Sequence, residues 1–240
     1  MKADARRSQL VTVGLRLFGS RGYDEVQIDE IAAEAGIAKG LLYHYFGSKR
    51  GLYLEVVRAA AAELLAALEP DSQLSGPDNV RRGILAYFGF VEARAGAYLA
   101  LMRGGLHSDP DVAAVLDGVR QAIVDRIAAG IGMASLPPAF RVAARSWIGA
   151  AEAAALDWLD HRDLSASALA DLLGAGLFGQ LVAASGQAPK AGAKLELSLG
   201  LRMLGSLMGS RAEPEPHDLT SAPAASAPDE PKAARARRKR

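Results

Sequence analysis

Apolar residues along this chain recur every three to four positions, and long alternating β-branched runs are absent, so the pattern predicts helices throughout. Leu10, Val13, Gly14, Leu17 and Phe18 share one face of a first helix, about Ala3–Ser20. Gly19 and Gly22 follow where that helix must end. A second helix fits Ile28–Ala35, with Ile31 and Ala32 facing inward and Gly36 at a left-handed turn position. A third fits Ala38–Phe46 and stops at Gly47. Ser48 is the expected N-cap of a fourth, about Lys49–Leu68, which ends before a loop marked by Pro70, Ser75, Gly76 and Pro77. One long helix is then expected from about Asp78, itself an N-cap candidate, to Arg103. Gly104, Gly105, Asp109 and Pro110 interrupt it. Helices near Val112–Ile131, Ala139–His161 and Ala166–Ser185 follow. Pro137 and Pro138 open the second of these, and Asp163 or Ser165 caps the third. Lys194–Met208 is a last apolar candidate. The predicted fold class is all-α.

Composition strengthens that reading. Alanine, the best intrinsic helix former, supplies 48 of 240 residues. The absence of Cys excludes disulfides, thiolate metal sites and cysteine nucleophiles. MKADARRSQLV has no apolar core of a signal peptide, and the uncharged stretch Leu172–Pro189 is too polar for a membrane span. The expected location is therefore cytoplasmic. The net charge of +1 argues against a coat-type nucleic-acid binder, but it conceals a partition. Residues 1–60 carry nine basic and seven acidic residues, 61–211 thirteen and fifteen, and 212–240 six and five. Those last residues are rich in Pro, Ala and Ser with little to bury, so a disordered tail is expected. Its end, KAARARRKR, either adds phosphate contacts or is a solvated terminus.

Chemistry concentrates in VQIDEIAAEAGIAKGLLYHYFGSK, residues 26–49. Two short helices around a glycine turn make a helix-turn-helix. Ile37, Leu42 and Phe46 form the apolar underside of the third helix, which turns Lys39, Gly40, Tyr43 and His44 the other way. A cation, a small residue and hydrogen-bonding aromatics on one face suit a major groove. Gly40 permits close approach to DNA, and Lys49, at a helix N-terminus, suits a phosphate. LFGSRGYDEV followed by IDEIAAEAGIAKGLLYHYFGSKRGLY resembles the TetR family of bacterial transcriptional regulators over roughly residues 5–60. The resemblance implies an all-α homodimer whose body binds a small-molecule inducer, and it implies DNA contacts from Lys39, Gly40, Tyr43, His44 and Lys49. Leu41 falls at a base-facing position. Gln27 and Ala38 stand where the family commonly has Ser or Thr, so hydroxyl contacts there are missing, and Gly51 replaces an acid or Ala. The implied organisation is a head over 1–50, a connecting helix over 51–68, a ligand-binding and dimerisation domain over 69–211 and a tail over 212–240.

Signals in the body are weaker. Tyr87, Phe88, Tyr98, Met102, His107 and Trp147 are candidate pocket residues, and each is also readable as ordinary core or, for His107, exposed loop. An apolar or aromatic ligand is favoured. Small residues at Gly149, Ala150, Ala153, Ala154 and Gly174, with Trp158 and Phe178, suggest a dimer interface in which each subunit contributes two helices; intramolecular packing is the other reading. Gly174–Gly179 spells a dinucleotide-binding pattern without the strand that such a site requires. His44, His107, His161 and His217 have no metal-type spacing, and no catalytic constellation is visible, so neither metal, cofactor nor enzyme activity is expected. The expected partners are operator DNA, a second copy of the chain and a small-molecule inducer, with no membrane. The most direct functional expectation is a repressor released from a palindromic operator by that inducer. Two rivals are a helical enzyme or small-molecule carrier with a vestigial head, and a non-specific DNA organiser.

Overall fold

The computed structural model describes residues 2–187, so the expected helix over Lys194–Met208 and the basic tail lie outside the described residues. Nine α-helices and no strand occur among those described: α1 Lys2–Ser20, α2 Ile28–Glu34, α3 Lys39–Phe46, α4 Lys49–Ala67, α5 Gly76–Ala93, α6 Ala95–Arg103, α7 Pro110–Gly130, α8 Pro138–His161 and α9 Ala166–Ser185.

The head is α1 to α3 packed on the start of α4. Leu10, Ile31, Leu42 and Leu52 are fully buried at its centre, one from each helix. Gly14 lies under α4, where a Cβ would come within 2.6 Å of the Val56 side chain. α2 ends in a turn that needs its glycine: Gly36 has φ +64°, its N–H donates to Ala33 O, and Ile37 N–H donates to Ala32 O at 3.0 Å. This double reverse bond satisfies the last carbonyls of α2 and aims the chain into α3. Ser48 caps α4 as expected, its hydroxyl accepting from Gly51 N at 3.0 Å.

α4 runs out of the head and into the body, where α8 packs on α9 and α5 on α9. Phe88, Phe140, Ala155 and Leu177 fill that second core. The two cores are not insulated. Val112 of α7 is buried in the head core, and Leu101 and Leu116 pack at its edge.

Two expectations need correction here. The long helix over 78–103 is two helices bent by 92° at Arg94, which leaves helical geometry (φ −129°). Tertiary contacts impose the break. The Arg94 guanidinium stacks over Phe90 at 4.3 Å and pairs with Glu63 of α4, while α6 crosses α1 so closely that a Cβ on Gly96 would lie 2.9 Å from Ser20 O. Ser75, not Asp78, caps α5, its hydroxyl accepting from Asp78 N at 3.3 Å. Ser165 rather than Asp163 caps α9.

Candidate nucleic-acid interface and body cavity

α3 is too short to be stable alone, and its orientation is set by what it buries. Leu42 is fully buried, with Ile37, Tyr45 and Phe46 at the core edge. That fixes the opposite face outward: Ala38, Lys39, Gly40, Leu41, Tyr43 and His44 are exposed, as is Gln27 at the start of α2. Leu41 and Tyr43 stand out as large apolar side chains left 37% and 41% exposed. Neither Gln27 nor Ala38 makes a side-chain cap bond, so the first N–H groups of α2 and α3 receive none from their caps. Gly40 is not required by the fold. A Cβ there would touch nothing within 4 Å.

Two of the predicted cations are engaged within the chain. Lys39 Nζ bonds Asp29 Oδ2 of α2 at 2.9 Å, and this hydrogen bond raises the lysine pKa above its ordinary value. Asp29 is a partner of Lys39 that sequence spacing does not reveal. It sits in the first turn of α2, where an acid is normally explained by the helix dipole. Lys49, half-buried, holds its ammonium 4.3 Å above the Tyr23 ring. Gly51 has a structural reason: a Cβ would fall 2.1 Å from Phe46 O, so glycine lets α4 close against the end of α3.

Beside this corner, Arg50 ties the head to the body. Its Nε and Nη2 bond the Asp109 carboxylate at 2.7 Å each, and Nη2 reaches Asp111 at 2.6 Å. Asp109 also caps α7, accepting from Asp111 N and Val112 N. The Arg50 bond, first among several, holds the Asp109 carboxyl below its ordinary range. The clasp is thus complete above the unfolded carboxylate pKa, near 4, and is lost only as pH falls through the lower folded value.

Beside the body lies a cavity of about 1400 Å³, partly open to solvent and walled on the head side by Leu15, Phe18 and Gly19 of α1. Tyr87, Tyr98, Met102 and Trp147 line it. Phe88 does not: it is fully buried behind the wall, edge-on to Trp158 at 5.3 Å. His107 is also outside the lining, half-buried in the short turn after α6. Tyr87 and Tyr98 join hydroxyls at 2.6 Å, and burial pushes the Tyr98 pKa up to about 12. The predicted interface set divides. Gly149, Ala150 and Ala153 are exposed on α8, and Ala154 is half-buried. Trp158 is buried, donating to Leu164 O at 2.8 Å, and Gly174 faces Ile84. Phe178 lines the cavity. Gly176 and Gly179 are the exposed glycines of α9. Among the described residues no group of three His, Asp or Glu is placed to hold a metal ion.

An eight-residue helix showing a cation, a glycine and hydrogen-bonding aromatics to solvent, joined through α4 to a hollow helical body, defines a class: DNA-binding regulators with a separate sensing body. Residues 10–56 match the family described as bacterial regulatory proteins, tetR family, and residues 77–179 match the tetracyclin repressor-like C-terminal domain. The chain belongs to the TetR family. A tetR-family transcriptional regulator from Streptomyces coelicolor is 31% identical with a TM-score of 0.74, the match covering 86% of this chain and 98% of that one. The HTH-type transcriptional activator FasR of Mycolicibacterium smegmatis is 30% identical over 126 residues, 52% of this chain and 58% of FasR. The HTH-type transcriptional regulator BetI of Agrobacterium fabrum is 41% identical over 78 residues, 29% of this chain and 38% of BetI. The matched region thus spans little more than half of FasR and well under half of BetI. All three are named as regulators of transcription, none as an enzyme.

Proposed function

We propose that two copies of this chain bind a palindromic operator in the cytoplasm, one α3 in each of two successive major grooves, and that a ligand in the body cavity releases them. The outward face of α3 carries this reading: Lys39, Gly40, Leu41, Tyr43 and His44 are exposed because Leu42 is buried, and the fold gives Gly40 no reason to be glycine. Half-sites one helical turn apart suit a two-fold dimer. Coupling would run through α7, which lines the cavity and holds Arg50 at its N-terminus. A ligand that binds unequally to two head spacings shifts the population between them.

Selection of bound DNA from a random pool tests the reading, with a palindrome as the expected product. Against that sequence, Tyr43→Ala and Lys39→Ala should each weaken retardation roughly ten- to hundredfold, the range of a base-contacting side chain. Recovery of no consensus, with steep salt dependence alone, would instead mark a non-specific DNA organiser. FasR is named an activator, so a reporter downstream of the operator decides the sign. Falling output on protein expression is the outcome proposed here.

The Lys39–Asp29 pair supports a second prediction. Both groups are largely exposed, at 48% and 72%, so the pair is screened and readily exchanged for a phosphate. Asp29→Asn should tighten operator binding several-fold at low salt, by removing a competing carboxylate. The gain should shrink as salt rises, and gel retardation across a salt series measures it. Unchanged affinity at low salt would place Lys39 away from the DNA.

A further inference from the structure

We infer that the body cavity takes a long-chain aliphatic anion, with its tail along α4 and its charged end at Arg126; this rests on the ligand-sensing reading above. The cavity, about 1400 Å³, exceeds the roughly 300–1,000 Å³ of common ligand pockets. Its shape follows α4. Tyr53, Val57, Ala61, Leu64 and Leu68 all line it, and at 1.5 Å per residue that face runs about 23 Å. A wall of small and aliphatic side chains over that length fits an extended hydrocarbon chain better than a compact ring system.

Polar groups break the wall at two levels. Midway, Tyr87 and Tyr98 bond each other, and Arg120 is occupied by a two-pronged pair with Glu152 at 2.8 and 3.2 Å. That level is neutral and internally satisfied. The C-terminal end of α4 differs. Arg126 Nη2 donates to the Glu69 carboxylate at 2.6 Å, and Arg82 Nη2 donates to the Glu69 carbonyl. Both guanidiniums retain a buried donor without an acceptor, Nη1 of Arg126 and Nε of Arg82. A buried donor costs free energy until an acceptor reaches it. Arg126 alone faces the Glu69 carboxylate, since Arg82 meets the backbone carbonyl, and that carboxylate is 70% exposed and easily displaced. This end lies where the apolar channel meets the polar residues Ser75, Asp78 and Asn79. A ligand carboxylate that displaces Glu69 answers both the charge and the open donor of Arg126.

Trp147 lines the cavity and reports occupancy by its fluorescence. The full chain is titrated with hexadecanoate, hexadecan-1-ol, octanoate and hexadecanoyl-CoA. Hexadecanoate is expected to bind at least tenfold more tightly than either the alcohol or the octanoate. Arg126→Gln should erase the acid-over-alcohol preference while leaving alcohol binding intact. Glu69→Gln, which removes the competing carboxylate, should tighten hexadecanoate several-fold, so the two variants move in opposite directions. If only the thioester binds with the same Arg126 dependence, the anion comes from an acyl thioester and not a free acid. Equal binding of acid and alcohol, equal binding of long and short acids, or a Glu69→Gln protein that binds more weakly would overturn the inference. Operator retention, followed in parallel, separates the two readings. Binding without release sinks the ligand-released function alone, and release by uncharged compounds with no acid binding sinks this inference alone.

Discussion

Gly176→Arg should yield a folded monomer that holds operator DNA about 10²–10⁴-fold more weakly, because the second head is no longer tethered to the first. The argument starts from α9. This helix is apolar and long enough to cross a membrane, yet only 28% of its most apolar stretch is buried. One side, Leu169, Leu173, Leu177 and Leu181, fills the body core. The other side leaves Leu172 63% and Val182 43% exposed, with Ala175, Gly176 and Gly179 between them. On α8, Val142 is 55% exposed in line with Gly149, Ala150 and Ala153. A Cβ on Gly149, Gly176 or Gly179 would meet nothing within 4 Å, so the chain's own packing does not demand their smallness. A second copy of the same two helices would, since small residues let backbones approach and a two-fold axis would set each stripe against its twin. An arginine at the centre of that stripe would be buried without a partner, at a cost of several kcal/mol. Gly118, exposed on α7 with equally open space, is the matched control, and Gly118→Arg should stay dimeric. Sedimentation measures both. A Gly176→Arg protein that still sediments as a dimer would move the interface elsewhere.

What the sequence made legible follows from where the causes lie. The α2–α3 turn and the α3–α4 corner are written in adjacent residues: Gly36 and Gly47 take positive φ, Ser48 caps, and Leu42 repeats with Ile37 and Phe46 on one face. Local causes of that kind are visible without coordinates. The break at Arg94 was not, because EARAGA favours helix and its partners, Glu63 and Ser20, are distant in sequence. Pairing of Lys39 with Asp29 needs the angle between two helices, which spacing does not reveal. The body was harder still. Small-residue spacing on α8 and α9 suggests an interface on both helices, but rotation about each axis decides which residues face out. That rotation leaves Gly176 and Gly179, not Gly174, exposed on α9 and turns Trp158 of α8 into the core, as the rotation of α5 does Phe88. Arg82 and Arg126 gave no sequence signal because their meeting at Glu69 joins α5, α7 and the loop after α4.

Leu42→Ala and Tyr43→Ala, neighbours on α3, are expected to fail for opposite reasons, and the contrast tests how the recognition face is held. Leu42 is fully buried in the head core, so truncation removes its transfer free energy and leaves a cavity, together about 2–5 kcal/mol. An eight-residue helix has little stability of its own. Its other core contacts, Ile37, Tyr45 and Phe46, are only partly buried. Loss of Leu42 should therefore free α3 while the body, with its separate core, stays folded. Hydrogen exchange should show α3 amides unprotected and α8 amides unchanged, and operator binding should fall more than a hundredfold. Tyr43→Ala removes a side chain that is 41% exposed and packs into no core cluster. Stability should change by less than about 0.5 kcal/mol, as for most surface substitutions, while DNA affinity drops by about 1–3 kcal/mol. The pair separates a group that positions the helix from one that reads the groove. Protected α3 amides in Leu42→Ala would show that the corner at Gly47 and Ser48 holds the helix without its buried leucine. An unaffected operator affinity in Tyr43→Ala would turn the reading face of α3 toward Lys39 and Gly40 at its N-terminal end.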